Sequence, residues 1–269
     1  MTAALNIDDL FSAVTENEKY RTISPGLIRS IGESELQKRR NFKEAVKATR
    51  NKLHQVGGAY FDRPIDFAEW SAELDCLPAD LQHPSVHAFC LQKMQSHAST
   101  RERLPLVKEF YTTVLQPLGQ VRSIIDVACG LNPLALPWMP LAAGGAYLAG
   151  DIYADMTGFI DHFLKRMDIP GGAQICNLVD GIPSEPAELA LVLKTIPCLE
   201  QLEKNIALRL LDGLNAPNLL VTFPARSLSG RSKGMTAYYG ERFEEMLAQR
   251  NWSFQRFEFL SELAFLVRR

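Results

Sequence analysis

The sequence predicts an α/β protein: a doubly wound parallel sheet preceded by a helical module. Three observations carry that expectation. From Ser123 onward, short apolar runs of strand length alternate with helical stretches, the pattern of successive βαβ units. The first run, Ser123 to Ala128, is apolar except for Asp126 and enters a turn at Cys129 and Gly130, as a central strand covered on both faces does. The second run, Ala146 to Ile152, contains Asp151 near its end, about 25 residues past the first, where an acid can bond two ribose hydroxyls. Asp151 also reads as a helix cap for the segment that follows.

Composition narrows the function. The chain has 269 residues, 46% hydrophobic and 22% charged, values normal for a folded soluble protein. A net charge of −2 excludes a globally basic nucleic-acid binder, so any such surface is local. Cys76, Cys90, Cys129, Cys176 and Cys198 are odd in number and lack CxxC spacing. They read as reduced thiols of a cytoplasmic protein, with no metal site expected. No apolar run approaches the roughly 18 residues of a membrane span, and no signal-peptide pattern opens the chain. No membrane partner is expected, and the expected state is a monomer.

Residues 1–60 read as a helical module, 61–120 as a helical connection and 121–269 as the sheet domain. In the module, a stretch over 7–21 opens with Ile7, Leu10, Phe11 and Val14 on one helical face. Ser24 before Pro25 reads as an N-cap with proline at the first helical position, opening a helix to about Lys38. Asn41 caps a third helix to about Val56, and Gly57-Gly58 ends it. Phe42, Val46, Thr49, Leu53 and Val56 form its core face. Lys43, Lys47, Arg50 and His54 form a second, basic stripe. Residues 17–54 hold ten Lys/Arg, Lys19 and Arg21 among them, against four Asp/Glu. A solvated helical face accounts for such a stripe; docking on nucleic-acid phosphates accounts for the local excess. Pro64, Pro78 and Pro84 punctuate the connection. A helix from about Ser85 to Gln95 follows, then HASTRERLP, where Ser99 or Thr100 can cap a helix facing the core with Phe110, Val114 and Leu115. His97 and Arg103 stand just ahead of the sheet.

In the sheet domain, Gly130 suits a structural turn and a ligand turn equally, since it lets backbone approach closely. The third strand is expected near Gln174 to Val179, bringing Asn177 and Leu178 to the same rim. The fourth is expected at Leu189 to Lys194 and the fifth at Asn218 to Pro224. The loop Ala225 to Met235 carries Arg226, Arg231 and Lys233 with two glycines, a composition suited to an anionic partner. A helix through Phe243 to Arg250 and an antiparallel pair, Ser253 to Phe259 and Leu263 to Val267, close the sheet. The glycines of GxGxxG are missing, which disfavours a pyrophosphate cradle. An opening glycine turn with an acid ending strand two suits a class I, Rossmann-like S-adenosylmethionine methyltransferase better than a nicotinamide enzyme.

Longer strings make the reading specific. HASTRERLP, DVACGLNPLALPWM, LVLKTIPCLE and VTFPARSLSGRSKGM, with YRTISPGLIRS and LHQVGGAY ahead of them, resemble the aminoglycoside-resistance methyltransferases of 16S ribosomal RNA, the Arm/Kgm group. The likeness runs from about Lys19 to the C-terminus. It implies methyl transfer from S-adenosylmethionine to N7 of one guanosine in the decoding A site of the assembled small ribosomal subunit. It further implies a cofactor pocket at Tyr60, His97, Ala98, Ser99, Arg103, Ala128, Gly130, Asp151, Asn177, Leu178 and Leu193. Arg103 would pair with the methionine carboxylate and Asp151 with the ribose. Asn177 stands where relatives often have Asp, and its oxygen can accept from the adenine amine. Leu202 stands where some have Gln and is left outside the pocket. Lys194 and Glu200 would shape the berth of the target base. Lys19, Arg21, Lys43, Lys47, Arg50 and His54 would dock on rRNA. Arg226, Arg231, Lys233 and Met235 would close over a base flipped from its helix. Guanine N7 is an unprotonated acceptor, so no general acid or base is assigned. Adenine-N1 methylation in the same rRNA region, a small-molecule methyltransferase and an RNA-binding protein without turnover are the alternatives.

Overall fold

The computed structural model describes residues 6–225 and 234–269. Its first helices follow the local signals closely. Helix α1 (Ile7–Thr15) buries Leu10 and Val14. It stops short of residue 21 because Asn17 caps a separate 3-10 turn, Glu18–Tyr20. Helix α2 (Pro25–Lys38) begins at its proline, but the Ser24 side chain caps nothing; the Ser24 backbone N–H donates instead to Ile152 O at 2.7 Å. Helix α3 (Phe42–Val56) is capped by Asn41 Oδ1, which accepts from Glu44 N at 3.0 Å. Buried Glu35 ties α2 to α3 through Lys52 at 3.1 Å.

Four helices lead to the sheet: α4 (Phe67–Asp75), α5 (Pro84–Met94), α6 (Ala98–Arg103) and α7 (Val107–Leu115). The single helix expected after HASTRERLP is thus two. Neither Ser99 nor Thr100 caps it; His97 occupies the N-cap position of α6. Pro105 lies in the 3-10 turn Leu104–Leu106 between α6 and α7, where its missing N–H interrupts the helical ladder.

The seven strands are β1 (Val121–Val127), β2 (Leu141–Asp151), β3 (Gly171–Ile175), β4 (Leu189–Leu193), β5 (Asn218–Pro224), β6 (Ser253–Glu258) and β7 (Glu262–Arg268). Their order is β3-β2-β1-β4-β5-β7-β6. The first five run parallel, and β7 enters antiparallel between β5 and β6. Strand β3 lies earlier than the sequence suggested. Gly171 and Gly172, at φ +115° and +151°, look like turn residues, yet they begin the strand. A Cβ at Gly171 would come within 2.2 Å of Tyr147 O, so only glycine allows this pairing with β2.

Side chains alternate between two hydrophobic layers. On β4, Leu189, Leu191 and Leu193 join the layer under α4, α5, α7 and α8 (Ala154–Arg166). Ala190 and Val192 join the other layer, with Leu210 and Leu211 of α10 (Ile206–Gly213) and Phe243 and Leu247 of α11 (Met235–Ala248). This period of two across a doubly covered strand leaves the carboxyl rim of β1, β2 and β4 as the open edge. The helical module packs onto that rim: Ala154 N donates to Thr22 O at 2.7 Å, beside the Ser24–Ile152 bond.

Candidate active site

Where β1 and β4 leave the sheet, the chain takes left-handed turns at residues that are not glycine. Ala128 has φ +50° and Lys194 φ +57°. Such backbone is costly for residues with a Cβ and is found where a site demands it. Between these turns lies a cleft lined by Tyr60, His97, Arg103, Ala128, Asp151 and Asn177. Helices α3 and α6, the turn after α3 and the short helix α9 (Ile196–Leu199) form its other walls.

Asp151 ends β2 in the cleft, 7% exposed. Its Oδ2 accepts from Gly130 N at 2.9 Å and its Oδ1 from Ile152 N at 2.7 Å. It does not cap α8, whose N-cap is Tyr153; it locks the β1 turn to the β2 exit. Burial raises its pKa, and the backbone amides oppose that shift.

Gly130 has a reason the sequence did not disclose. It has φ +52°, and a Cβ there would come within 2.8 Å of His97 Cε1. The close approach is made by the His97 ring. That ring stacks on Tyr60 at 5.4 Å between centroids and meets the edge of Phe61 at 5.1 Å. Burial, then Lys194, Arg101 and Arg103, depress its pKa to about 3, so His97 is neutral at pH 7. Its Nδ1 is buried without a partner among the described residues. The Tyr60 hydroxyl lies 2.7 Å from Cys198 Sγ.

Arg103 is 1% exposed. Its Nε and Nη2 donate to the two oxygens of Glu262 at 2.6 and 2.9 Å, and its Nη1 donates to Tyr111 Oη at 3.1 Å and Asn132 Oδ1 at 2.9 Å. The guanidinium face expected for a cofactor carboxylate is therefore taken by Glu262. Burial pushes the Glu262 carboxyl up, and Arg103, aided by Lys194 and Thr222, more than offsets it and holds it below the usual carboxylate range. Glu262 and Asn132, the partners of Arg103, are among the residues that sequence reasoning missed. One signal was available for each: a lone acid in the apolar run ELAFLV, and a lone amide in LNPLALP.

Ser99, Leu178 and Leu193 line the same cleft, and so does Leu202, which the expectation left outside. Ala98 is buried behind it. Asn177 lies in the turn after β3. Its Oδ1 accepts from Val179 N at 3.2 Å, and its Nδ2 is buried without a partner among the described residues. The expected acceptor for an adenine amine carries one bond and keeps a second lone pair, and the unpartnered group is a donor, suited to a ring nitrogen. Lys194 Nζ donates to Glu102 at 2.6 Å. Glu200 is held by Arg242 at 2.7 Å.

The basic residues divide. Lys43 and Lys47 are exposed on α3 and edge a groove against α1. Arg50 is half-buried, donating to the Ala13 carbonyl, so it anchors α3 to α1 rather than standing free. Lys19 Nζ sits 3.0 Å from His54 Nδ1, and Arg21 pairs with Glu18 on the surface. Met235 opens α11. Arg226, Arg231 and Lys233 lie outside the described residues. Among the described residues there is no metal-ligand cluster, and no helix is long and apolar enough to cross a membrane.

Sheet order and cleft position define a class I, Rossmann-like methyltransferase fold, with the ligand site at the carboxyl ends of its parallel strands. Known proteins sharpen this. Residues 16–266 match the family described as Ribosomal RNA methyltransferase (FmrO). A 16S rRNA (guanine(1405)-N(7))-methyltransferase of Micromonospora echinospora is 36% identical, covering 98% of this chain and 97% of that protein. Its namesake in Serratia marcescens is 33% identical over 89% of each chain. The crystal structure of 16S rRNA methyltransferase RmtF in complex with S-adenosyl-L-homocysteine superposes with a TM-score of 0.81 at 31% identity, covering 100% of this chain and 99% of that one. The chain belongs to the FmrO family of ribosomal RNA methyltransferases.

Proposed function

We propose that this protein transfers a methyl group from S-adenosylmethionine to N7 of a guanosine in the decoding A site of 16S rRNA, acting on the assembled small subunit and conferring aminoglycoside resistance. One observation carries the cofactor assignment. Two cleft-lining residues, His97 and Asn177, bury polar atoms that lack partners among the described residues, and buried polar groups without partners are costly unless a ligand satisfies them. Asp151 would hold the ribose, Asn177 and Leu178 the base edge, and Arg103, through the one N–H not engaged by Glu262, Tyr111 and Asn132, the amino-acid end. Bound there, the cofactor supplies a sulfonium methyl as electrophile.

The chain's own titratable groups favour N7 chemistry. Asp151 is bonded to backbone amides, Glu102 to Lys194 and Glu262 to Arg103. Burial pushes the Cys176 thiol up to about 11 and raises that of Cys198, so both stay protonated. None of these groups is poised as a general base, and guanine N7 needs none because its lone pair carries no proton. The protein's contribution is in-line positioning of the nucleophile. Lys43 and Lys47, with the family relatives' rRNA activity, support docking through the helical module. The product base carries a fixed positive charge, which repels a polycationic aminoglycoside.

The test is methyl transfer from labelled S-adenosylmethionine to intact small subunits and, in parallel, to naked 16S rRNA, mapped by borohydride and aniline cleavage. Cleavage at one decoding-site guanosine, with intact subunits only, is the expected result. Label without cleavage would move the methyl to another atom. No label on either substrate would remove the assignment.

A further inference from the structure

Behind Arg103 lies a buried polar chain that the proposed chemistry does not use. Asp126 of β1 is fully buried. Its Oδ2 accepts from Tyr147 Oη at 2.6 Å and from Asn132 Nδ2 at 2.8 Å. The other end of the same amide, Asn132 Oδ1, accepts from Arg103 Nη1 at 2.9 Å and from the Tyr111 hydroxyl. Asn132 and Arg103 line the cleft, with Asp126 linked to them through the amide. We propose that Asp126 fixes the direction of the Asn132 amide, and that Asn132 thereby orients Arg103 for the amino-acid end of the cofactor. Asn132 is a positioning residue in this scheme. The inference rests on the cofactor reading above.

The direction follows from donor and acceptor types. Asp126 Oδ2 accepts whether the group is ionised or carries a proton on Oδ1, and a guanidinium only donates. An amide between them fits in one orientation, with nitrogen toward Asp126 and oxygen toward Arg103. Flipped, it sets oxygen against carboxylate and N–H against guanidinium. The opposite edge of Arg103 is clamped by Glu262, so four of its five N–H groups are engaged. Asp126 Oδ1 is buried without a partner among the described residues. A carboxylate so placed is expensive to bury, and in a dry interior its bonds to Tyr147 and Asn132 hold the network in one arrangement. Burial raises its pKa to about 7 against the bonds from Tyr147 and Asn132. The charged and titratable groups facing this pair are Tyr147 and Asp151 from β2, Arg103 from α6, Tyr111 from α7, Glu262 from β7 and Cys129 from the β1 turn.

Asn132→Asp tests the relay, read by calorimetric binding of S-adenosylhomocysteine and of 5′-methylthioadenosine, which lacks the amino-acid end. Residue 132 then still accepts from Arg103 but faces Asp126 with a second acceptor. The two carboxyls share a proton at low pH and repel once both ionise. S-adenosylhomocysteine affinity is expected to fall about tenfold at pH 8.5, equivalent to about 1.4 kcal/mol, and to recover toward pH 6.5. Methylthioadenosine affinity is expected to stay within about twofold, a difference of about 0.4 kcal/mol. Asp126→Asn combined with Asn132→Asp restores a donor facing an acceptor, so it is expected to recover binding and lose the pH dependence. Tyr111→Phe, which keeps the amide and removes one donor to it, is expected to weaken S-adenosylhomocysteine alone should Asn132→Asp fold poorly. Unchanged S-adenosylhomocysteine binding, equal loss of both ligands, or a double variant no better than the single one overturns the relay. Wild-type protein that binds neither ligand overturns the cofactor reading itself.

Discussion

Gly130→Ala is the sharpest perturbation the cleft offers, because two separate costs meet at one methyl group. The residue has φ +52°, and left-handed backbone costs a residue with a Cβ about 1–2 kcal/mol. The new Cβ would also lie 2.8 Å from His97 Cε1 and 3.1 Å from Nε2. His97 cannot swing aside freely, since it is stacked on Tyr60 and wedged against Phe61. Overpacking a filled site costs about 1–3 kcal/mol. The sum is a loss of about 2–5 kcal/mol of unfolding free energy, read by urea denaturation. A double-mutant cycle separates the two parts. In a His97→Ala background the clash has no partner, so Gly130→Ala should cost only the backbone share of about 1–2 kcal/mol. Additivity of the two substitutions to within about 0.5 kcal/mol, or a neutral Gly130→Ala, would refute the contact-based reasoning.

Glu262→Ala leaves the Arg103 guanidinium buried and unpaired on that edge, and breaking such a pair costs about 3–5 kcal/mol in denaturant unfolding. The Glu262 carboxyl is held below its ordinary range in the fold. Its contribution is present above the unfolded pKa of about 4.3 and disappears as pH falls through the folded value, so the wild-type margin over Glu262→Ala should shrink in acid. His97 acts in the same direction over a higher pH window: folded, it resists protonation down to about pH 3, while unfolded it takes a proton near pH 6.5. Between those values the unfolded chain binds more protons, so stability falls by up to about 1.4 kcal/mol per pH unit on acidification. His97→Gln should flatten that slope in melts taken from pH 7 to pH 5, and an unchanged slope would assign it to other groups. Lys43→Glu with Lys47→Glu should weaken binding to small subunits and shallow its salt dependence by about two units of slope, while S-adenosylhomocysteine affinity stays at the wild-type value in calorimetry.

What the sequence disclosed was what local chemistry decides. Asn41 and Gly57 mark helix ends through bonds to their own neighbourhood and Pro25 through its fixed φ and missing N–H, and α2 begins, and α3 begins and ends, where those residues say. Apolar runs reveal β1, β4 and β5 because both faces of each are buried. Errors arose where a partner is distant in the chain. Gly171 reads as a turn until the Tyr147 carbonyl beside it is known. Arg103 reads as free for a ligand until Glu262, 159 positions away, is brought to it by β7. Arg50 reads as one of a solvent-facing stripe, yet its guanidinium reaches the end of α1. The residues proposed for the cofactor, by contrast, were reachable only through the long family strings, since no single turn or acid specifies an adenosine site.

The seam between the helical module and the sheet has a consequence for how such proteins acquire new targets. Thr22 and Ser24 bond to the backbone just past the β2 exit, at Ala154 and Ile152, and Tyr60 meets Cys198 across the cleft. The helices proposed to face RNA are therefore also a wall of the cleft proposed for the cofactor, and on that reading the two functions are inherited as one piece. Exchange of the first 60 residues for a foreign docking module would unroof the chamber on its Tyr60 side. A change of RNA target is open only to substitutions on outward faces, of the kind Lys43 and Lys47 occupy, which leave the roof in place.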